Sequence, residues 1–397
     1  MLTSDPFAAP ITVCPRWTWY RGQFVTGLRV TIQNAGIIRI STERESREID
    51  RSDLLLLPGL VNAHTHLEFS SLNSPIPHDG TFASWIRAVV QWRRGQTEAD
   101  HLAALQRGLS ESAAAGVAAL GEISTRSQQV LRGDTPYQVS FREALGLSEA
   151  SVHPQLEIAR SHLVASADPL SYRPGLSPHA PYSLHCDLFQ GIVDLAQAHS
   201  CPLAMHLAET EEELELLRTG TGPLADLFAE WGLWRVGQTA PFRKPIEVLR
   251  TLRELPNVLV IHGNYLDTEE LDYLAGRDNF TVVFCPRTHS YFGHRRYPIT
   301  GLLRRGIRVA LGTDSRASNP DLNLLSDLRH AARQHPEIAP ESWIEMITHN
   351  GARALGLSRR FGTMTDGANA NLCALTIPPG TTDPLEVVLE SGQIQSS

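Results

Sequence analysis

A chain of 397 residues is longer than one hydrophobic core usually fills, although parallel barrels of alternating strands and helices often pass about 250 residues as one domain, so one large domain with a small companion is expected. Its 43 acidic against 35 basic residues give a formal net charge of -8 and a pI near 6.1, which argues against nucleic acid or an anionic membrane as partner, since both need a basic surface. Five scattered cysteines without a Cys-x-x-Cys pair suit a reducing cytosol better than a disulfide framework, and neither a leader pattern nor a run of about 18 apolar residues is present. The expectation is a soluble, cytoplasmic protein.

In chain order, residues 11–14, 23–27, 28–33 and 36–40 read as short strands separated by Gly and Asn turn signals. Hairpins of this size cannot bury both faces alone. The far end offers partners, because residues 371–377 and 385–390 are again short β-like runs. The expected organisation is a small β-sandwich domain from residues 1–57 plus 361–397, with a catalytic barrel of residues 58–360 inserted between its halves.

Residues 54–57 are apolar without a break, as in a strand buried on both faces. Residues 58–67 follow, reading Pro-Gly-Leu-Val-Asn-Ala-His-Thr-His-Leu. His64 and His66 are two apart, which in an extended strand points both imidazoles to one face and makes half of a chelate. A lone His there would more often be a hydrogen-bonded core residue; a His-x-His pair ending a buried strand favours a metal.

From residue 58 to about 357 buried apolar runs alternate with amphipathic stretches. Strands are expected at 116–123, 173–177, 202–207, 258–262, 281–285 and 308–312, and helices at 99–115, 186–199, 211–215 and 343–355, where apolar residues recur at i, i+3, i+4. This alternation predicts an α/β fold, a (β/α)8 barrel with its site at the C-terminal ends of the strands. Polar motifs do follow the apolar runs directly. His206 ends the run at 202–207, and Glu209 can reach the same cavity from the next turn, while Glu211, Glu212 and Glu213 read as a solvated helix face. His262 ends the run at 258–262, followed by Gly263. Asp314 follows the run at 308–312, and a buried carboxylate there needs a cation or donors, although a loop Asp serving as an N-cap is the plainer alternative.

These motifs, Pro-Gly-Leu-Val-Asn-Ala-His64-Thr-His66, Ser177-Pro-His179-Ala-Pro-Tyr182, His206-Leu-Ala-Glu209-Thr, Ile-His262-Gly, Cys285-Pro286 and Gly-Thr-Asp314-Ser, in this order across nearly the whole chain, resemble the amidohydrolase superfamily. The resemblance is to its aminohydrolase branch, which holds adenosine-type, S-adenosylhomocysteine, guanine and cytosine deaminases and triazine chlorohydrolases. It implies a (β/α)8 barrel with a composite β-sandwich, one divalent metal held by His64, His66, His206 and Asp314, Glu209 as proton shuttle, and His262 beside the attacking water. Zn²⁺ is the expected ion, with Fe²⁺ admitted by the same ligand types. The implied reaction is hydrolytic deamination of an amino-substituted N-heterocycle: Asp314 accepts the water proton, Glu209 protonates the ring nitrogen, His262 steadies the oxygen, and ammonia leaves. Superfamily members with paired metals commonly bridge them with a carboxylated lysine on the fourth strand; the sole lysine here is Lys244, in a loop-like stretch, so a single ion is favoured.

The substrate is less sharply marked. His179 matches a position that touches the heterocycle in purine-type relatives, with a strand-end His before Pro181 as the plainer alternative. Cys285-Pro-Arg287-Thr-His289 departs from the branch's commoner Cys-Pro-x-Ser-Asn, His294 follows soon after, and the Phe82-Ala-Ser-Trp85 stretch lacks the acidic residue that nucleoside-binding relatives often place there. This pattern resembles the aminofutalosine deaminases, whose substrate joins an adenine to a benzoate; Arg287 or Arg316 would then face the carboxylate, and His179 and His289 would line the pocket. Other deaminations (guanine, cytosine or pterin), hydrolysis of a carbon-chlorine or amide bond at the same site, and a metal-binding scaffold without turnover are the alternatives. The expected partner is a small molecule, with no nucleic acid and no membrane; a homodimer stays open, and Trp85, Trp92, Trp231 and Trp234 read as core or subunit-contact residues.

Overall fold

Five strands open the chain: β1 (Ile11–Tyr20), β2 (Gln23–Val25), β3 (Arg29–Gln33), β4 (Gly36–Ser41) and β5 (Glu48–Pro58). They belong to a computed structural model that describes residues 10–33, 36–44, 47–126, 135–164, 171–235, 237–238, 240–369 and 371–395. β1 turns into β2 through Arg21 and Gly22, both left-handed at φ 51° and 79°, the backbone that a tight two-residue hairpin turn requires. β1 also pairs antiparallel with β3 and parallel with β5. The leucines of residues 54–57 are 5% exposed or less, but they close β5, an inner strand of this first sheet; the His-x-His motif sits on the next strand.

That next strand opens a second sheet of nine parallel strands: β6 (Leu60–His66), β7 (Val117–Ser124), β8 (Tyr137–Ala144), β9 (Tyr172–Pro178), β10 (Leu203–Leu207), β11 (Val258–His262), β12 (Phe280–Phe284), β13 (Val309–Leu311) and β14 (Asp314–Ser315). β13 pairs with β12, whereas β14, two residues later, pairs with β6. The eighth barrel strand is thus broken at Gly312-Thr313 and closes the ring with its second half. Alternate residues face inward: Val139, Phe141, Ala204, Leu259, Ile261, Val283 and Ala310 share one interior cluster. Their neighbours Leu203, Met205, Val258, Val260, Val282 and Val309 pack outward against the helices, which is why these strands read as unbroken apolar runs.

β15 (Leu372–Thr376) then returns to the first sheet, antiparallel to β5, and β16 (Gln393–Ile394) pairs with β15. The two sheets meet at Gly59, where a Cβ would come within 2.0 Å of the Asn371 carbonyl oxygen.

Three expectations about elements need correction. β8 is a strand the pattern did not show, because Gln138, Ser140, Arg142 and Glu143 break its apolar run. Residues 385–390 are not a strand: Pro384 opens a helical turn capped by Asp383, and the chain continues as a wide helical turn, Val387–Ser391. Residues 343–355 form two helices, Pro340–Met346 and His349–Ala354, because the Ile347 carbonyl is drawn out of the ladder to accept from the Val61 N–H at 2.7 Å. The tryptophans pack internally, Trp85 donating to the Ala317 carbonyl and Trp234 to that of Gly220. Among the described residues no helix is long and apolar enough to cross a membrane.

Candidate active site

Polar side chains converge where the barrel strands end. β6 brings His64 and His66, with ring centroids 4.8 Å apart; β10 brings His206, 5.1 Å from His64; β11 brings His262, 5.8 Å from His64; β14 brings Asp314. The Asp314 Oδ1 lies 3.5 Å from His64 Nε2 and 3.7 Å from His66 Nε2. Five described non-glycine residues have left-handed backbone, and three of them, Ala208 (φ 52°), His262 (φ 66°) and Asp314 (φ 58°), are here. Such backbone costs on the order of 1–3 kcal/mol per residue and persists only where the surroundings impose it.

Those surroundings are visible. Asn62 accepts from the N–H groups of His64 and Thr313, at 3.3 and 3.1 Å, and donates to Thr313 Oγ1, tying β6 to the broken strand. Thr65 donates to the Asp314 carbonyl, Ser318 to Asp314 Oδ2 and Tyr297 to the His262 carbonyl. The His179 carbonyl, which can only accept, lies 3.0 Å from His206 Nδ1, so that nitrogen carries the proton and Nε2 keeps its lone pair.

Burial sets the protonation states. It holds the His66 and His206 imidazoles well below their usual range and pushes His262 down to about 3, so all three are neutral. Glu209 is driven well above the ordinary carboxylate range, first by burial and then by the charges of Asp314 and Glu213. For Asp314 burial also raises the carboxyl, but the His64 ring 3.5 Å away and the His262 and His66 rings facing it outweigh burial and hold it below the ordinary carboxylate range. Across the 3.4 Å contact between Glu209 Oε1 and His262 Nε2, burial therefore pushes both partners towards their uncharged forms.

Both ring nitrogens of His64 and Nδ1 of His66 are buried without a hydrogen-bond partner among the described residues. Orphaned polar atoms at such depth are costly. A cation resolves this, because the ligand atoms of His64, His66 and Asp314 lie within 4.8 Å of one another, as do those of His64, His206 and His262. His64 belongs to both groups, which places them around one centre. Lys244 is on the surface beside Glu269.

Of the expected pocket residues, His179 is close by, its ring 5.2 Å from that of His206 and its Nδ1 2.7 Å from Ser183 Oγ. His289 is buried, with Nε2 unpartnered, and packs 5.3 Å from His294, whose Nδ1 meets the Tyr265 hydroxyl. The two arginines have partners within the chain. Arg287 is bound by Asp327 at 2.8 Å and Asp321 at 2.7 Å, and Arg316 by Glu111 and the Leu72 carbonyl, both at 2.7 Å. Each guanidinium is satisfied by the fold itself. Glu212 and Glu213 are a correction: Glu212 caps the helix Phe82–Arg94 through the N–H groups of Phe82 and Ala83. Glu213, fully buried, accepts from the N–H groups of Ala208 and Glu209 at 3.0 and 2.8 Å. The Thr210-x-x-Glu213 spacing, a helix N-terminus signature, was the available signal that Glu213 is structural.

A model of the amidohydrolase family matches residues 55–396. The chain belongs to the amidohydrolase family. Among curated relatives, this amidohydrolase is 30% identical over 361 residues to the 5-methylthioadenosine/S-adenosylhomocysteine deaminase of Syntrophobacter fumaroxidans, covering 83% of this chain and 74% of that one. It is 26% identical over 343 residues to the aminodeoxyfutalosine deaminase of a Nitratiruptor species, covering 84% and 82%. In fold it resembles the aminofutalosine deaminase of Helicobacter pylori crystallised with methylthio-coformycin, at TM-score 0.85, 20% identity and 97% coverage of each chain. An adenosine deaminase of Xanthomonas campestris with bound zinc follows at TM-score 0.78 and 21% identity, covering 97% of this chain and 90% of that one. The TIM-like barrel with its second sheet is the architecture of these amidohydrolases, and the His and Asp cluster fits the family's divalent metal site.

Proposed function

We propose that this amidohydrolase is a single-metal hydrolytic deaminase of an adenine nucleoside, with a compound of the aminofutalosine type as the first candidate substrate. The observation that carries the reading is the meeting of His64, His66, His206 and Asp314 at one point, beside a buried Glu209 whose carboxyl is pushed up and lies in contact with His262. The names of the curated relatives support an adenine-nucleoside substrate. His64, His66, His206 and Asp314 would hold the ion, Zn²⁺ first by ligand type. When bound, such a cation lowers the pKa of a water in its open position toward about 7. We take residues 58–360 as the catalytic unit and residues 1–57 with 361–397 as the small domain.

The side chains then divide the proton work. Asp314 takes one proton from the attacking water as its oxygen bonds to the carbon bearing the amino group, while Glu209 gives its proton to the adjacent ring nitrogen. His262 hydrogen-bonds the new oxygen. Collapse returns the hydroxyl proton to Glu209 and moves the Asp314 proton to the departing amine, which leaves as ammonia.

The test is ammonia release by metal-loaded enzyme from 6-amino-6-deoxyfutalosine, adenosine and 5-methylthioadenosine, together with Glu209→Gln. Turnover of at least one of these is expected, and the variant should keep its metal while kcat falls roughly 10²- to 10⁴-fold. Silence on all three substrates sinks the nucleoside reading, and a fully active variant sinks the role of Glu209.

A further inference from the structure

Glu143 is a second buried acid at the barrel mouth, on the strand that sequence reading missed. The residue is 4% exposed, and among the described residues neither of its buried carboxylate oxygens has a hydrogen-bond partner. Tyr137, Val139 and Phe141 of the same strand line the barrel interior, so strand alternation sets Glu143 on that inner face, one layer nearer the C-terminal ends. It stands opposite Ser177 of β9, two residues before His179, and the Ser177 hydroxyl is likewise buried and unpartnered. Its charge is felt by His179 and by the Arg93 guanidinium, yet Arg93 bonds Glu68 at 2.6 Å instead. Arg142, next in sequence, points to the opposite face of the strand and cannot serve it.

A buried carboxylate whose two oxygens meet no donor of the described residues can accept two from a ligand. Its two acceptors lie side by side, and the neighbouring hydroxyls of a furanose can each present one O–H to them, giving short charge-assisted bonds. We propose that Glu143 binds the 2′- and 3′-hydroxyls of a ribose on the substrate and makes the enzyme selective for ribonucleosides. This rests on the adenine-nucleoside reading above and supplies, from the third barrel strand, an acidic group that Phe82-Ala-Ser-Trp85 does not carry.

The test compares kcat/KM for adenosine, 2′-deoxyadenosine and 2′,3′-dideoxyadenosine in the wild type, Glu143→Gln and Glu143→Ala. The wild type is expected to prefer adenosine over the dideoxy compound by on the order of 10- to 100-fold per hydroxyl. In Glu143→Ala that preference collapses toward parity, the loss falling more heavily on adenosine than on 2′,3′-dideoxyadenosine; Glu143→Gln, isosteric and able to accept with one oxygen, falls between and serves if the alanine variant does not fold. An unchanged preference, or an equal loss on all three compounds, overturns the assignment of Glu143 and leaves deamination standing. Wild-type enzyme inactive on every adenine nucleoside overturns the nucleoside reading as well.

Discussion

Glu213 shows what a single buried acid does for its neighbours. By accepting from the N–H groups of Ala208 and Glu209 it fixes the left-handed turn that aims Glu209 at the mouth, and burial raises its own carboxyl from 4.5 to about 7. An acid whose pKa is higher folded than unfolded binds more protons in the native state between those two values. Its contribution therefore favours the fold below pH 4.5 and is lost as pH rises through about 7. Glu213→Gln keeps one acceptor and leaves one N–H unanswered, at a cost of about 1–3 kcal/mol. Denaturant unfolding should show the wild type ahead of the variant most strongly at low pH, with the gap narrowing towards pH 7; a gap that widens with pH would contradict the assignment.

At the level of elements, the site depends on how the broken eighth strand meets the first. A Cβ on Gly312 would sit 2.9 Å from both the Cβ and the carbonyl oxygen of His64, and Asp314 follows two residues later on β14, paired with Thr65. No glycine flexibility is at issue; the need is for close approach of two backbones. Gly312→Ala forces β6 and β14 apart, an overpacking that costs roughly 1–3 kcal/mol, and separates Asp314 from the two histidines it must join. Elemental analysis should find less bound metal per chain, and thermal unfolding a lower midpoint; normal metal content would show that the strands yield elsewhere.

For the whole molecule, the C-terminal segment has to be held to the barrel as well as to the first sheet. Arg329, on the helix Leu324–Gln334, donates to the carbonyls of Val388 at 2.9 Å, Val387 at 3.2 Å and Gly392 at 2.5 Å. They lie in and just beyond the wide turn of Val387–Ser391, whose Val387 carbonyl also accepts from the Gly392 N–H at 2.8 Å. Replacing Arg329 with Ala removes this staple, with a loss of about 2–3 kcal/mol for charged hydrogen bonds of this kind. Hydrogen exchange should quicken in residues 384–395 while the barrel strands keep their protection; uniform loss would mean the segment is not a separate unit of stability.

The barrel and its metal cluster could be read in the amino-acid order because the chemistry is local there: each histidine or acid directly follows an apolar run that must be a strand buried on both faces. Asp314 was findable for the same reason, although its left-handed backbone and its strand's change of partner were not. Long-range partners carry no such mark. Arg287 and Arg316 looked free until Asp327, Asp321 and Glu111, distant along the chain, were found holding them. Glu143 lay hidden in the mixed polar pattern of β8, since its meaning comes from the face on which the closed barrel sets it. Local order of polar and apolar residues specifies where chemistry can sit; which charges are already satisfied, and which still await a ligand, is settled only when remote strands and helices are brought within hydrogen-bond reach.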